Sequence, residues 1–119
     1  KAVKTQGDRK PRAGVNTVDR VAARALGLRI KPANEASDLQ GALAAGDRGG
    51  PAYVEVAGEA FVAGIGYGTE DANADGIPGN VGDWDLFVRL SALIEWINQA
   101  TAKAAADEAA AAVGDTERR

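Results

Sequence analysis

Alternation of hydrophobic and polar positions predicts β-strands in the first part of the chain. Leu26, Leu28 and Ile30 recur with a period of two and are followed by Pro32, a pattern typical of a half-buried strand that ends at the proline. A looser alternation over residues 13–21 predicts a strand before it.

Two further hydrophobic runs predict a hairpin. Residues 52–56 and 60–65 are rich in β-branched and aromatic side chains, and Ala57-Gly58-Glu59 separates them. Such a short connection containing glycine favours antiparallel pairing. After a Gly- and Asp-rich loop over residues 66–83, residues 84–90 predict another strand.

The pattern changes to helical spacing near the C-terminus. Ser91 is a candidate N-cap, and Leu93, Ile94 and Ile97 form an apolar stripe. Residues 100–113 are Ala-rich and extend this helix, which we expect to end at Gly114, before a disordered tail. The sequence therefore predicts a mostly-β antiparallel domain with a C-terminal helix. Four or five strands do not close a good barrel, so we expect exposed edges that need a partner.

Composition excludes several classes of function. The chain has 119 residues, of which 45% are hydrophobic and 26% charged, as in one small globular domain. It contains neither Cys nor His, so thiolate chemistry, imidazole bases and zinc or copper sites are not expected. A net charge of −3 argues against nucleic acid as a partner, and the absence of a long apolar run argues against a membrane.

Charge is divided unevenly along the chain. Residues 1–31 carry +7 and the remainder −10, giving the total of −3. The basic third is either a docking surface or simply the complement of an acidic remainder within one assembly. Residues 1–11 are polar and predict a flexible basic segment. The chain begins with Lys1 and has no Met, which suggests a processed or excised piece of something longer.

A collinear series of motifs carries a resemblance to a known family. It begins with Gly46-Asp47-Arg48-Gly49-Gly50-Pro51 before the hairpin and ends with Phe87-Val88-Arg89-Leu90 and the following helix. Residues 12–99 resemble the C-terminal half of a trypsin-like (chymotrypsin-fold) serine protease, and the bacterial secreted branch is the most similar. The resemblance implies the second antiparallel barrel of that fold with its C-terminal helix, and a secreted, extracellular or periplasmic location.

The resemblance also implies what this chain lacks. The family's general-base His and its orienting Asp belong to the first barrel, and the first strand of the second barrel is also unaccounted for. The expected partner is therefore a first-barrel chain, or copies of this chain that associate through sheet edges.

Arg48 departs from the family at its central position. The resemblance places the nucleophilic Ser there, and a protonated guanidinium cannot replace it. The oxyanion hole would use the backbone N–H groups of Gly46 and Arg48. Asp47 matches the Asp that pairs with a new N-terminal amine after zymogen cleavage; a turn that holds its own loop is an equally good interpretation.

The resemblance also locates a substrate-binding region. It places the base of the primary specificity pocket at Ala42, which offers no acid for a cationic substrate side chain. The pocket wall corresponds to Gly66-Tyr67-Gly68, on which a substrate backbone would pair.

One loop has the spacing of a calcium site. Asp71, Asn73 and Asp75 stand at alternate positions and are followed by Gly76, as at the start of calcium-binding loops. Position 12 is Gly82 instead of the closing acid, and Asp83 or Asp85 are the possible substitutes. A solvated Asp/Asn/Gly loop is the alternative, so the expected cofactor is either none or Ca²⁺.

Three functions therefore remain open. The first is a non-catalytic trypsin-like half-domain, a pseudoprotease or structural interaction subunit. The second is the C-terminal fragment of a secreted serine endopeptidase inactivated at the nucleophile. The third is a calcium-dependent binding module.

Overall fold

A computed structural model describes the backbone of residues 10–117, with side chains through residue 114. Within that range the chain forms five strands, a 3₁₀ turn and one α-helix. The elements are β1 (Arg20–Val21), β2 (Ala25–Arg29), β3 (Pro51–Val56), β4 (Glu59–Glu70), β5 (Trp84–Arg89), the 3₁₀ turn Leu90–Ala92 and α1 (Ile94–Glu117). The predicted basic segment 1–11 falls almost wholly outside the described residues.

The strands form one antiparallel sheet in the order β1-β2-β5-β4-β3. The predicted mostly-β architecture with a C-terminal helix is confirmed. Among the described strands the sheet is open, because β1 and β3 lie at opposite edges and do not pair with each other.

The β3–β4 hairpin confirms the predicted pairing. Ala57 and Gly58 both have positive φ, 51° and 81°, as the tight turn of a right-twisted hairpin requires. Val56 pairs with Glu59 across this turn. β4 then continues to Glu70, further than the predicted end at residue 65, so the long loop begins at Asp71.

The strand predicted over residues 13–21 is much shorter in the structure. Only Arg20–Val21 belongs to the sheet, and Val15 makes an isolated parallel bridge to Gln40. The Asn16 side chain explains the difference: its amide donates to the Arg29 carbonyl over 3.1 Å, and its oxygen accepts from the Thr17 N–H over 2.8 Å. These bonds replace a strand ladder.

One face of the sheet carries a small core. Leu26, Ile30 and Phe87 are its buried hydrophobic residues. Two glycines of β4 allow other side chains to pack closely on this face. A Cβ added to Gly64 would lie 3.0 Å from the Cβ of Phe87, and a Cβ added to Gly66 would lie 3.2 Å from the methyl groups of Leu43. The loop bearing Leu43 therefore lies over this face.

The C-terminal helix differs from the prediction at both ends. Ser91 lies in the 3₁₀ turn, where its hydroxyl accepts from the Arg89 Nε over 2.8 Å, and α1 begins only at Ile94. The helix runs through Gly114 to Glu117 and does not end at the glycine. Most of its side chains are exposed, including Ile94 and Trp96. In the described part of the chain, no helix has the length and apolar character needed to cross a membrane.

Candidate functional site

The structure brings the predicted nucleophile loop and the predicted pocket wall together. Gly46 and Gly49 have φ of 98° and 90°, conformations that favour glycine and fold the loop tightly. The Gly49 N–H donates to the Gly66 carbonyl over 2.8 Å, and the Gly66 N–H donates to the Gly50 carbonyl over 2.9 Å. Residues far apart in sequence are therefore fixed side by side.

Asp47 holds its own loop. Its carboxylate accepts the Ala44 N–H over 2.8 Å, and its carbonyl accepts the Gly50 N–H over 3.0 Å. Both bonds are local, so the side chain fixes the turn that presents Arg48.

Arg48 is an exposed side chain at the tip of this turn. Among the described residues it forms no side-chain hydrogen bond or ion pair, and the backbone N–H groups of Gly46 and Arg48 donate no hydrogen bond. Two backbone donors and a cation are therefore available to solvent. Nothing in this arrangement supplies a nucleophile, because a guanidinium only donates.

A buried acid lies next to Ala42, the predicted pocket base. Ala42 itself is exposed, but the following residue, Leu43, donates its N–H to the Asp85 carboxylate over 2.8 Å. The Thr69 hydroxyl donates to the other carboxylate oxygen over 3.2 Å. Asp85 is 2% exposed.

Burial is the main cause that raises the pKa of Asp85. The negative charges of Asp47 and Asp83 act in the same direction, whereas the bonds from Leu43 and Thr69 oppose the shift without cancelling it. The carboxyl group therefore exchanges a proton at a higher pH than an ordinary aspartate does.

Asp83 organises the long loop that precedes it. It is completely buried, and four backbone N–H groups point at its carboxylate. One oxygen accepts from Ala72 and Asn73 over 3.0 and 3.5 Å; the other accepts from Gly79 and Asn80 over 2.9 and 3.2 Å. This single side chain closes the two limbs of the loop on each other.

The three predicted calcium ligands lie in this same loop, and most of their oxygens accept hydrogen bonds from it. Asp71 accepts from the Gly76 N–H over 2.9 Å, and Asn73 accepts from the Asp75 N–H over 3.1 Å. Asp75 accepts from the Ile77 N–H over 2.8 Å and from the Asn80 side-chain amide over 2.5 Å. The bond from Asn80 is the main cause that lowers the pKa of Asp75. Oδ1 of Asp71 is the exception, a buried oxygen without a hydrogen-bond partner.

Over the described range, no group of three or more acidic side chains is arranged to hold a metal ion. The loop oxygens point mainly at backbone N–H groups, and those bonds stabilise the loop.

From the sequence, Asp83 and Asp85 were predicted only as possible calcium ligands. Their structural roles could have been suspected from alternation, because Asp85 and the buried Phe87 stand two residues apart and so lie on the same face of β5. An acid on the buried face of a strand needs donors from elsewhere in the fold.

No protein-family model matches the chain, and no curated protein matches it either.

Proposed function

We propose that this chain is a non-catalytic, trypsin-like half-domain that acts as a structural or interaction subunit. Its partner is a first-barrel chain or a second copy of itself, and the association completes the open sheet. The sequence motifs around Arg48 support the trypsin-like assignment, and the same motifs support a secreted, extracellular or periplasmic setting. The loss of the nucleophile supports a non-catalytic role.

The observation that carries the proposal is the free edge of β3. Val56 and Glu59 are ladder partners that flank a two-residue turn, and in such a hairpin the flanking residues form a hydrogen-bonded pair. Alternate residues of an antiparallel strand bond to the same neighbour, so the N–H and C=O groups of Tyr53 and Glu55 point away from β4. Pro51 occupies an outward position as well, where its missing N–H costs no bond within the sheet. The edge is therefore ready to accept another strand.

Both faces beside this edge carry uncovered apolar side chains. Val54 and Phe61 pair across the hairpin and are 39% and 49% exposed; Tyr53 and Val62 pair on the opposite face and are 66% and 43% exposed. Single exposed hydrophobics are ordinary, but a contiguous set is typical of an interface. A partner that pairs with β3 would bury side chains on both faces at once.

The experiment that tests the proposal is analytical ultracentrifugation of two variants beside the wild type. Glu55→Pro removes an outward N–H and keeps every bond to β4, whereas Glu55→Ala removes the same charge and keeps the N–H. We expect concentration-dependent association of the wild type and of Glu55→Ala, and its loss in Glu55→Pro. If the wild type is monomeric, a purified trypsin-like first barrel is added, and complex formation is expected with the same dependence on residue 55.

A folded monomer that binds neither itself nor a first barrel, with dispersed amide NMR signals at all concentrations, would overturn the proposal. Labelling of the wild type by a fluorophosphonate probe would contradict its non-catalytic part and would instead favour a working endopeptidase fragment.

A calcium-dependent binding module is the second candidate. One observation favours it: Asp71 places a buried, unpartnered oxygen in the loop that also holds Asn73 and Asp75. Calorimetric titration with Ca²⁺ tests it, with Asp71→Asn as the matched control. Saturable binding that the substitution abolishes supports this function, and the absence of heat in the wild type at millimolar calcium rules it out.

A further inference from the structure

A recess lies beside the C-terminal end of β5. It has a volume of 330 Å³ and is lined by Arg24, Ala25, Tyr67, Val88 and Leu93. Protein sites for small ligands range over roughly 300–1,000 Å³, so this one is large enough for a single ring or a branched chain. Ala25 and Val88 pair across β2 and β5, which gives the recess a floor on the sheet.

The lining combines apolar walls with one positive charge. Ala25, Val88 and Leu93 are partly buried, and Tyr67 is 44% exposed. Among the residues that the structure describes, no acidic side chain lines the recess. An apolar body would therefore find contact surface there, and a negative group would meet no repelling charge in the lining.

Arg24 supplies a cation with unused donors. In the described part of the chain its guanidinium forms no hydrogen bond or ion pair, whereas Arg20 and Arg29 are paired with Glu70 and Glu35. Among the described residues, Arg24 is therefore the charged side chain of the lining, and its guanidinium is unengaged.

We infer that this recess binds a monocarboxylate with an apolar, ring-sized body. The body packs between Tyr67 and Leu93 over Val88, and the carboxylate accepts from the Arg24 guanidinium at the rim. A fork of N–H donors suits the two oxygens of a carboxylate, which favours this anion over a neutral polar group. A free small acid and the C-terminal residue of a peptide share this chemistry. The inference does not depend on the function proposed above.

The test is an NMR titration of the wild-type chain with two acid–amide pairs. The first pair is 3-phenylpropionate and 3-phenylpropionamide; the second is N-acetylphenylalanine and N-acetylphenylalaninamide. We expect saturable shifts of the Ala25, Val88 and Leu93 methyl signals, with each acid binding at least about threefold more tightly than its amide because only the acid pairs with the arginine.

Two variants distinguish the charge of the Arg24 side chain from the overall charge of the protein as the cause of the preference for the acid. Arg24→Gln should bring the acid-to-amide ratio close to one, and Lys103→Gln, which removes the same charge from the exposed helix, should leave the ratio unchanged. Tighter binding of N-acetylphenylalanine than of 3-phenylpropionate would identify a peptide C-terminus as the source, and the reverse would identify a free acid. Equal binding of acid and amide to the wild type, shifts that map elsewhere, or the absence of saturation would each overturn the inference.

Discussion

The Leu43 N–H donates to the Asp85 carboxylate over 2.8 Å and so ties the loop before Arg48 to the central strand β5. This bond spans 42 positions of sequence and places a buried acid under the candidate site. It stabilises the loop, but it also requires a carboxyl group to remain in a poorly solvated position. A substitution that removes the charge of Asp85 but keeps an oxygen to accept from Leu43 should therefore show whether the hydrogen bond or the cost of burying the charge dominates.

We expect Asp85→Asn to stabilise the fold increasingly as the pH rises. The folded pKa of Asp85 is raised, so the native state holds its proton more tightly than the unfolded state, whose value is near 3.8. The cost of the charge to stability therefore grows as the pH rises from about 3.8 through the folded pKa, and it is fully present above the folded pKa. The asparagine oxygen still accepts from Leu43, and its amide can donate to the Thr69 hydroxyl. Urea unfolding at pH 3, 5 and 7 measures the difference from wild type.

Asp75→Asn provides the control of opposite sign. The pKa of Asp75 is lowered, chiefly by its bond from Asn80, so its contribution to stability is present above about pH 3.8 and is lost as the pH falls. We expect this variant to be less stable than wild type at pH 7 and to approach it at low pH. Parallel pH dependence of the two variants would refute the electrostatic account of Asp85.

Asp83→Asn should destabilise the protein, although the change is nearly isosteric. Both oxygens of Asp83 accept backbone N–H groups, and an asparagine would turn an NH₂ towards either Ala72 and Asn73 or Gly79 and Asn80. Leaving two buried donors unpaired costs about 2 kcal/mol or more of the free energy of unfolding. Hydrogen exchange of the Gly79 and Asn80 amides should accelerate along with the loss of stability. A variant as stable as wild type would show that the loop does not depend on this carboxylate.

The fold could be predicted from the sequence where the hydrophobic pattern of a strand reflects the burial of its own side chains. Leu26 and Leu28 alternate in β2, and the runs on either side of the Ala57–Gly58 turn pair as expected because the turn and the hydrophobic pattern agree. The end of β4 was not predictable in this way. Gly66 and Gly68 have no side chain to display a period, and their strand conformation results from pairing with Phe87 and Leu86 of β5.

The candidate site shows the same division between local and non-local causes. The turn around Asp47 could be anticipated, because its bonds to Ala44 and Gly50 lie within three residues of sequence. The position of the Asp85 side chain could not be anticipated, since its donors Leu43 and Thr69 come from separate elements.

The continuation of α1 through Gly114 has a local cause. The Ala-rich sequence before the glycine favours helix strongly enough to outweigh one glycine.

Ala57→Asn should stabilise the β3–β4 hairpin. Ala57 has φ of 51°, a conformation that costs a residue with a Cβ roughly 1–2 kcal/mol, and asparagine tolerates it better. The resulting Asn-Gly pair is the preferred sequence for a turn of this kind. We expect a gain of about 0.5–1 kcal/mol in the free energy of unfolding, measured by urea denaturation. Ala60→Asn, on the exposed strand beyond the turn, is the control and should give no gain; equal effects of the two substitutions would exclude the turn as the cause.

Arg48→Ser should create no detectable esterase or peptidase activity. The substitution supplies a hydroxyl at the tip of the loop, beside the free N–H groups of Gly46 and residue 48, but the chain has no His to remove the hydroxyl proton. Asp47 is not a substitute base, because its carboxylate is directed at the Ala44 N–H. The members of a catalytic triad act as a unit, so restoring one of them without the others gives little activity. Hydrolysis of an activated ester and labelling by a fluorophosphonate are the measurements, with Arg48→Ala as the control for contamination. Turnover that appears in Arg48→Ser, is absent in Arg48→Ala and is abolished by adding Asp47→Asn would show that the loop aspartate acts as a base after all.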